Sequence, residues 1–146
     1  MTEKKVKLAS LLANAERERD GEWGGAIHPE LAAGGVRFKV RSLRYGPFQA
    51  DLKQANLRFS RKYQNKPIPP EEAAKVDGEL YAKHLLLDWD GFDEPYSPAR
   101  AHELLILPAA HLLRTEIQAL AEVVARTEVE FVEAVAGNSE PASDGN

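Results

Sequence analysis

Apolar residues recur three and four positions apart along most of this chain, and clusters of Gly and Pro cut the pattern into short lengths. A helix of 3.6 residues per turn gathers such positions into one stripe, so the chain must bury short helices against one another. The longest stripe is C-terminal, where Leu113, Ile117, Leu120, Val124, Thr127, Phe131 and Val135 follow at spacings of four and three. It predicts one helix with a heptad-like seam of about three repeats, ended at Gly137-Asn138. A second stripe, Phe48, Leu52, Ala55, Phe59 and Tyr63, is opened by Gly46-Pro47, where proline suits a first turn. Lys66-Pro67-Ile68-Pro69-Pro70 is a stiff connector that no helix interior accepts. A third helix is predicted from Glu71 to the Asp88-Trp89-Asp90-Gly91 turn, with Glu71 and Glu72 at the positive end of its dipole. Ser97-Pro98 reads as a cap followed by Pro at the first helical position, and Pro108 stops or kinks the short helix that follows. At the N-terminus, Leu8, Leu11, Leu12 and Ala15 predict a helix broken by Gly21, Gly24 and Gly25.

One segment follows a different period. Val36, Phe38 and Val40 alternate with Arg37, Lys39 and Arg41, the mark of a strand with one apolar and one cationic face. Gly34-Gly35 supplies a turn before it, and Ala26-Ile27-His28 is the expected hairpin partner. The phase of the alternation changes at Leu43, which marks a bulge or the end of the strand. The fold class expected is therefore α+β, mainly α-helical, with four to five helices and a small N-terminal β-hairpin. One domain is expected over residues 1–138, with an N-terminal helix in 1–20, the hairpin in 25–45, a helical part in 46–138 and a flexible tail in 139–146.

Composition excludes several functions. With no cysteine, there are no disulfides, thiolate metal sites or cysteine nucleophiles. No apolar run approaches the ~18 residues that a membrane-spanning helix needs, and the first residues lack a signal-peptide pattern, which predicts a cytoplasmic protein. The net charge of −4 is unevenly spread. Val36 to Lys66 holds nine Lys/Arg against the single Asp51, whereas from Pro67 onward there are sixteen Asp/Glu against five Lys/Arg. Such a division suits two faces that meet different partners, or simply a solvated basic helix face. The cations of the first stretch interleave with aromatics, as in nucleic-acid binders, but Phe48, Phe59 and Tyr63 belong to a helical stripe and the acidic remainder repels phosphate.

No catalytic constellation emerges. His28, His84, His102 and His111 lack the three- or four-residue spacing of a helical metal pair. Asp88, Asp90, Asp93 and Glu94 surround Gly91 without the positions of a calcium loop. Glycine pairs without a phosphate loop and serines without a nucleophile elbow complete the case for no enzyme, no cofactor and no metal.

Leu85-Leu86-Leu87-Asp88-Trp89-Asp90-Gly91, Pro95-Tyr96-Ser97-Pro98 and Leu104-Leu105, together with the strand-like Val40-Arg41-Ser42-Leu43, carry a resemblance. In that order they resemble the tail assembly chaperones of long-tailed bacteriophages and prophages. One departure is a shorter loop, Phe92-Asp93-Glu94, between the Trp turn and the Ser-Pro helix. The resemblance implies a non-enzymatic protein of the host cytoplasm during assembly, which coats the helical tape-measure protein and recruits the tail-tube protein. The alternatives are a structural tail or head-tail connector protein and a nucleic-acid-binding accessory protein. Candidate partner-binding residues are Leu113, Ile117, Leu120, Val124, Phe131 and Val135 of the terminal seam, which also makes a homo-oligomer possible. Trp89, Asp90, Gly91, Ser97 and Pro98 are candidates for a structural turn.

Overall fold

The computed structural model describes residues 2–135. In chain order the elements are β1 (Thr2–Val6), a 3-10 turn (Leu8–Leu11), α1 (Ala15–Asp20), β2 (Glu22–Gly25), α2 (Pro29–Ala33), β3 (Arg37–Val40), α3 (Gly46–Tyr63) and α4 (Pro70–Leu80). A π-helical turn (Tyr81–Leu85), β4 (Leu86–Asp90), α5 (Pro98–Leu105), a 3-10 turn (Pro108–Ala110), α6 (His111–Ala125) and β5 (Phe131–Val135) follow. This is the mainly helical α+β architecture that the periodicities predict. Its six α-helices among the described residues exceed the four to five expected because α1 and α2 are single short turns. Ala15–Ala125 form one compact unit and the described residues of the chain ends form another. The expected Gly137-Asn138 helix end and the tail 139–146 lie outside the described residues.

The larger unit is organised by β3. Phe38 and Val40 are fully buried, while Arg37 on the opposite face is exposed, pairs with Asp90 at 3.3 Å and lies over the Trp23 ring at 4.7 Å. The cationic face is thus held by a carboxylate and an aromatic ring on the neighbouring strands. β3 is central in a three-stranded antiparallel sheet of order β2-β3-β4. Its hairpin partner is Glu22–Gly25 and not residues 26–28, although Ala26 N still donates to Val36 O at 2.9 Å and prolongs the ladder. The connection holds α2, started by Pro29.

The third strand corrects the reading of Leu85 to Asp90 as a helix end. α4 stops at Leu80, the π-helical turn carries the chain across, and Leu86–Asp90 pairs with β3 in the register Val40↔Leu86, Lys39↔Asp88, Phe38↔Trp89 and Arg37↔Asp90. The irregularity between Lys39 and Val40 absorbs Leu87. A buried central strand needs hydrogen-bond partners on both sides, and that long-range demand outweighs the local helical spacing.

α6 packs on β3, burying Ile117, Leu120, Ala121 and Val124. β2 approaches it so closely that a Cβ on Gly24 would lie 3.0 Å from Leu120 Cδ2. α3 keeps the predicted bounds and buries Phe48 and Ala55, with Leu52, Phe59 and Tyr63 half-buried. Pro108 ends the α5 line, and the chain bends by 102° between Pro98–Leu105 and Pro108–Ala125.

The smaller unit corrects both ends of the sequence reading. Residues 2–6 form a strand instead of the start of a helix, and Leu8 and Leu12 are exposed rather than docked. The terminal helix ends at Ala125, and Phe131–Val135 is a strand antiparallel to β1, from Val6↔Phe131 to Thr2↔Val135. Beyond Ala125, Val129 and Phe131 alternate with Glu128 and Glu130, a period of two that also satisfies part of the heptad spacing. β-branched Val129 and Val132 favour the extended choice.

Candidate functional site

An apolar groove of about 380 Å³ opens on the larger unit. Its walls are Leu31 of α2, Trp89 of β4, Phe92 of the following loop, Leu104 of α5, Ala109 and Ala110 of the 3-10 turn, and Leu112 and Leu113 of α6. Asp93 and Glu94 also line it, and the Glu94 carboxylate is paired with Arg100 at 2.9 Å, which leaves Asp93 as the acid at its edge. Phe92 is 37% exposed and Leu112 is 44% exposed, so large apolar side chains face solvent at the mouth. An apolar slot of this kind binds apolar anchors, with a polar group at its edge to orient them.

The Trp turn builds one wall. Trp89 is buried, its Nε1 donates to Glu94 O at 2.9 Å, and its ring meets Tyr96 and Phe92 edge-on at 5.2 and 5.7 Å. Such contacts lock an indole that would otherwise leave its N–H unsatisfied. Asp88 Oδ1 accepts from Trp89 N at 2.8 Å, and Asp90 pairs with Arg37. Gly91 turns at φ +94°, and a Cβ there would lie 2.8 Å from Val36 Cα, so no other residue fits. Ser97 Oγ accepts from Arg100 N at 3.1 Å and Pro98 occupies the first turn, which makes the expected cap real.

Two buried charges hold the opposite walls. The Glu116 carboxylate of α6 accepts from Ile27 N at 2.8 Å and His28 N at 3.0 Å, and so fixes the approach to α2 and its Leu31. The Arg114 guanidinium donates to the carbonyls of Leu105 at 2.8 Å and Pro108 at 3.3 Å, capping the end of α5 at the bend. Neither residue was singled out from the sequence. Glu116 falls within the terminal stripe, three residues after Leu113 and four before Leu120, and a carboxylate in an apolar stripe is the signal that finds it.

The terminal seam is divided by the fold. Ile117, Leu120 and Val124 are buried in their own unit, and Leu113 is half-buried along the groove, so only Leu113 of these four can meet a partner. Phe131 is 59% exposed on β5, and Val135 of the same strand pairs with Thr2. Seams of this spacing pack on their own domain whenever a sheet lies beneath them.

The remaining titratable groups are dispersed. Among the described residues no three His, Asp or Glu side chains converge as a metal site. The closest approach to a catalytic pair is His84, buried, whose Nε2 lies 2.7 Å from Asp51 Oδ2, with Lys83 Nζ at 3.2 Å. The His84 and then the Lys83 hydrogen bonds hold the Asp51 carboxyl below its usual value of 3.8. A depressed carboxyl pKa adds stability while the group is ionised and loses it as pH falls through the folded value. Asp51→Asn is therefore expected to be less stable than the wild type at neutral pH, with the difference vanishing in acid below 3.8. Thermal melts across pH check this, and equal stability at neutral pH would show that the pair contributes nothing.

These features define a small, mainly helical α+β protein with an apolar groove on its larger unit. Residues 43–138, about two-thirds of the chain, match the family described as YdaY prophage protein. The chain belongs to the YdaY prophage protein family. The match begins three residues after β3 and takes in every groove residue but Leu31, and it agrees with the phage origin that the Trp-Asp-Gly and Ser-Pro motifs imply. No curated protein and no solved structure gives a significant match.

Proposed function

We propose that the chain is a non-enzymatic tail assembly chaperone, working in the host cytoplasm, that holds a helical segment of the tape-measure protein and assists the tail-tube protein. The observation that carries this reading is the apolar groove with Asp93 at its edge. An amphipathic helix would seat one or two large apolar side chains between Phe92 and Leu112 and turn a Lys or Arg toward Asp93. Its length and repetition would let several copies of the chaperone coat one tape-measure protein.

The test is co-expression with fragments of the tape-measure protein of the same prophage. The wild type should keep such fragments soluble, and Leu112→Lys should weaken binding by about tenfold or more, as loss of a central apolar contact does. Leu112 is exposed, so the variant should keep the wild-type melting temperature. Undiminished binding by Leu112→Lys would sink the groove as the site. A gene placed between those for tail tube and tape measure would support the reading further.

A second reading has its own observation. Lys53, Arg58 and Arg61 stand exposed on α3, and among the described residues none is paired with a carboxylate. That face suits a nucleic-acid-binding accessory protein, and binding of duplex DNA that weakens steeply with salt would favour it.

A further inference from the structure

The apolar groove does not treat all apolar anchors alike. Every residue that lines it belongs to Ala15–Ala125, so its shape is set within one compact unit. Its large side chains divide by chemistry: Trp89 and Phe92 are aromatic, whereas Leu31, Leu104, Leu112 and Leu113 are aliphatic. The aromatic part continues a ring cluster. Trp89 meets Tyr96 at 5.2 Å and 88°, and Phe92 meets Trp89 at 5.7 Å and 83° and Phe38 at 5.8 Å and 56°. These edge-on and tilted contacts are the ones that ring quadrupoles favour. The cluster ends at Phe92, which is 37% exposed at the mouth. Its position is fixed from both sides. Gly91 lies tight against the Val36 backbone, and Glu94 is held by the Trp89 indole and by two contacts to Arg100, at 2.9 and 3.3 Å.

We infer that the groove selects an aromatic anchor, Phe or Trp, on the partner helix, with a Lys or Arg one turn away that meets Asp93. This rests on the groove being the docking site of that helix. An incoming ring extends the cluster at Phe92 and gains a ring–ring attraction that an aliphatic side chain lacks. Space permits it: a cavity of about 150 Å³ holds one benzene, and the groove offers about 380 Å³. Charge completes the match. Among the described residues Asp93 has no ion pair, whereas Glu94 is taken by Arg100, so Asp93 is the lining acid that can receive a cation. Residues one helical turn apart share a face, which lets one helix present the ring and the cation together.

NMR titration of the full chain with two amines of matched size tests the selection. Phenethylamine carries an aromatic ring and 2-cyclohexylethylamine a saturated one, each with an ammonium group. Phenethylamine is expected to bind about threefold more tightly, with shifts centred on the Ala109 and Ala110 amides. Phe92→Leu should bring the two affinities to parity. Asp93→Asn should weaken both amines by about threefold at low salt and leave their ratio unchanged. Equal binding by the wild type, shifts away from the groove, or a preference that survives Phe92→Leu overturns the aromatic selection. Affinities untouched by Asp93→Asn overturn the assignment of the cation. Tape-measure fragments kept soluble by a chain without ring preference would retain the docking role and reject the aromatic anchor. Ring preference with those fragments left insoluble would keep the specificity and reject the tape-measure protein as its ligand.

Discussion

Gly78→Ala should lower the melting temperature by about 10 °C or more, the loss of about 3 kcal/mol expected when an atom is forced into a packed contact. Gly78 is buried in α4 where that helix crosses α5. A Cβ at this position would press on the carbonyl of Leu105 and lie 2.7 Å from Ile106 N. Both are backbone atoms, and the same Leu105 carbonyl accepts from the buried Arg114, so neither can step aside as a side chain would. Alanine improves helix propensity by about 1 kcal/mol over glycine, which is too little to offset the clash. Thermal denaturation followed by circular dichroism decides the matter. A melting temperature at or above that of the wild type would mean that α4 and α5 do not approach this closely.

Trp89→Ala is expected to cost about 4 kcal/mol, the range for deleting a large buried aromatic. The indole fills the space between Phe92 and Tyr96 on the inner side of β4, opposite Phe38 of β3. Its loss opens a cavity and frees the Glu94 carbonyl that its N–H satisfies. Trp89→Phe keeps an aromatic ring but loses the indole N–H and part of the volume, for about 2 kcal/mol. Denaturant titration of the two variants measures both losses. If Trp89→Ala melted with the wild type yet failed to hold the tape-measure fragment, Trp89 would be a contact residue and not a structural one.

The candidate site was only partly legible in the residues. The Trp turn, Gly91 and the Ser97-Pro98 cap were found because each works within a few residues of itself: a cap bonds three residues on, and a turn needs its own φ. The groove was not found, because its walls come from Leu31, Trp89, Leu104 and Leu113, which no periodicity connects. Nor was the Asp51–His84 pair, whose members are 33 residues apart.

Sequence by itself determined the elements whose side-chain period has a single solution. α3 runs from Gly46-Pro47 to Tyr63 as its stripe and proline dictate, and β3 alternates Phe38 and Val40 inward against Arg37 outward. The mainly helical α+β class follows from those periods. Tertiary structure decided the segments whose pattern fits two periods. Leu86 to Asp90 became a strand because β3 has a second edge to satisfy, and Phe131 to Val135 became a strand because it pairs with β1. Left unpaired, the buried edge of β3 would cost a hydrogen bond's worth of desolvation at each residue, whereas helix and strand preferences there differ by a few tenths of a kcal/mol. Edge pairing therefore outweighs local preference, and which strands meet is a property of the folded chain alone.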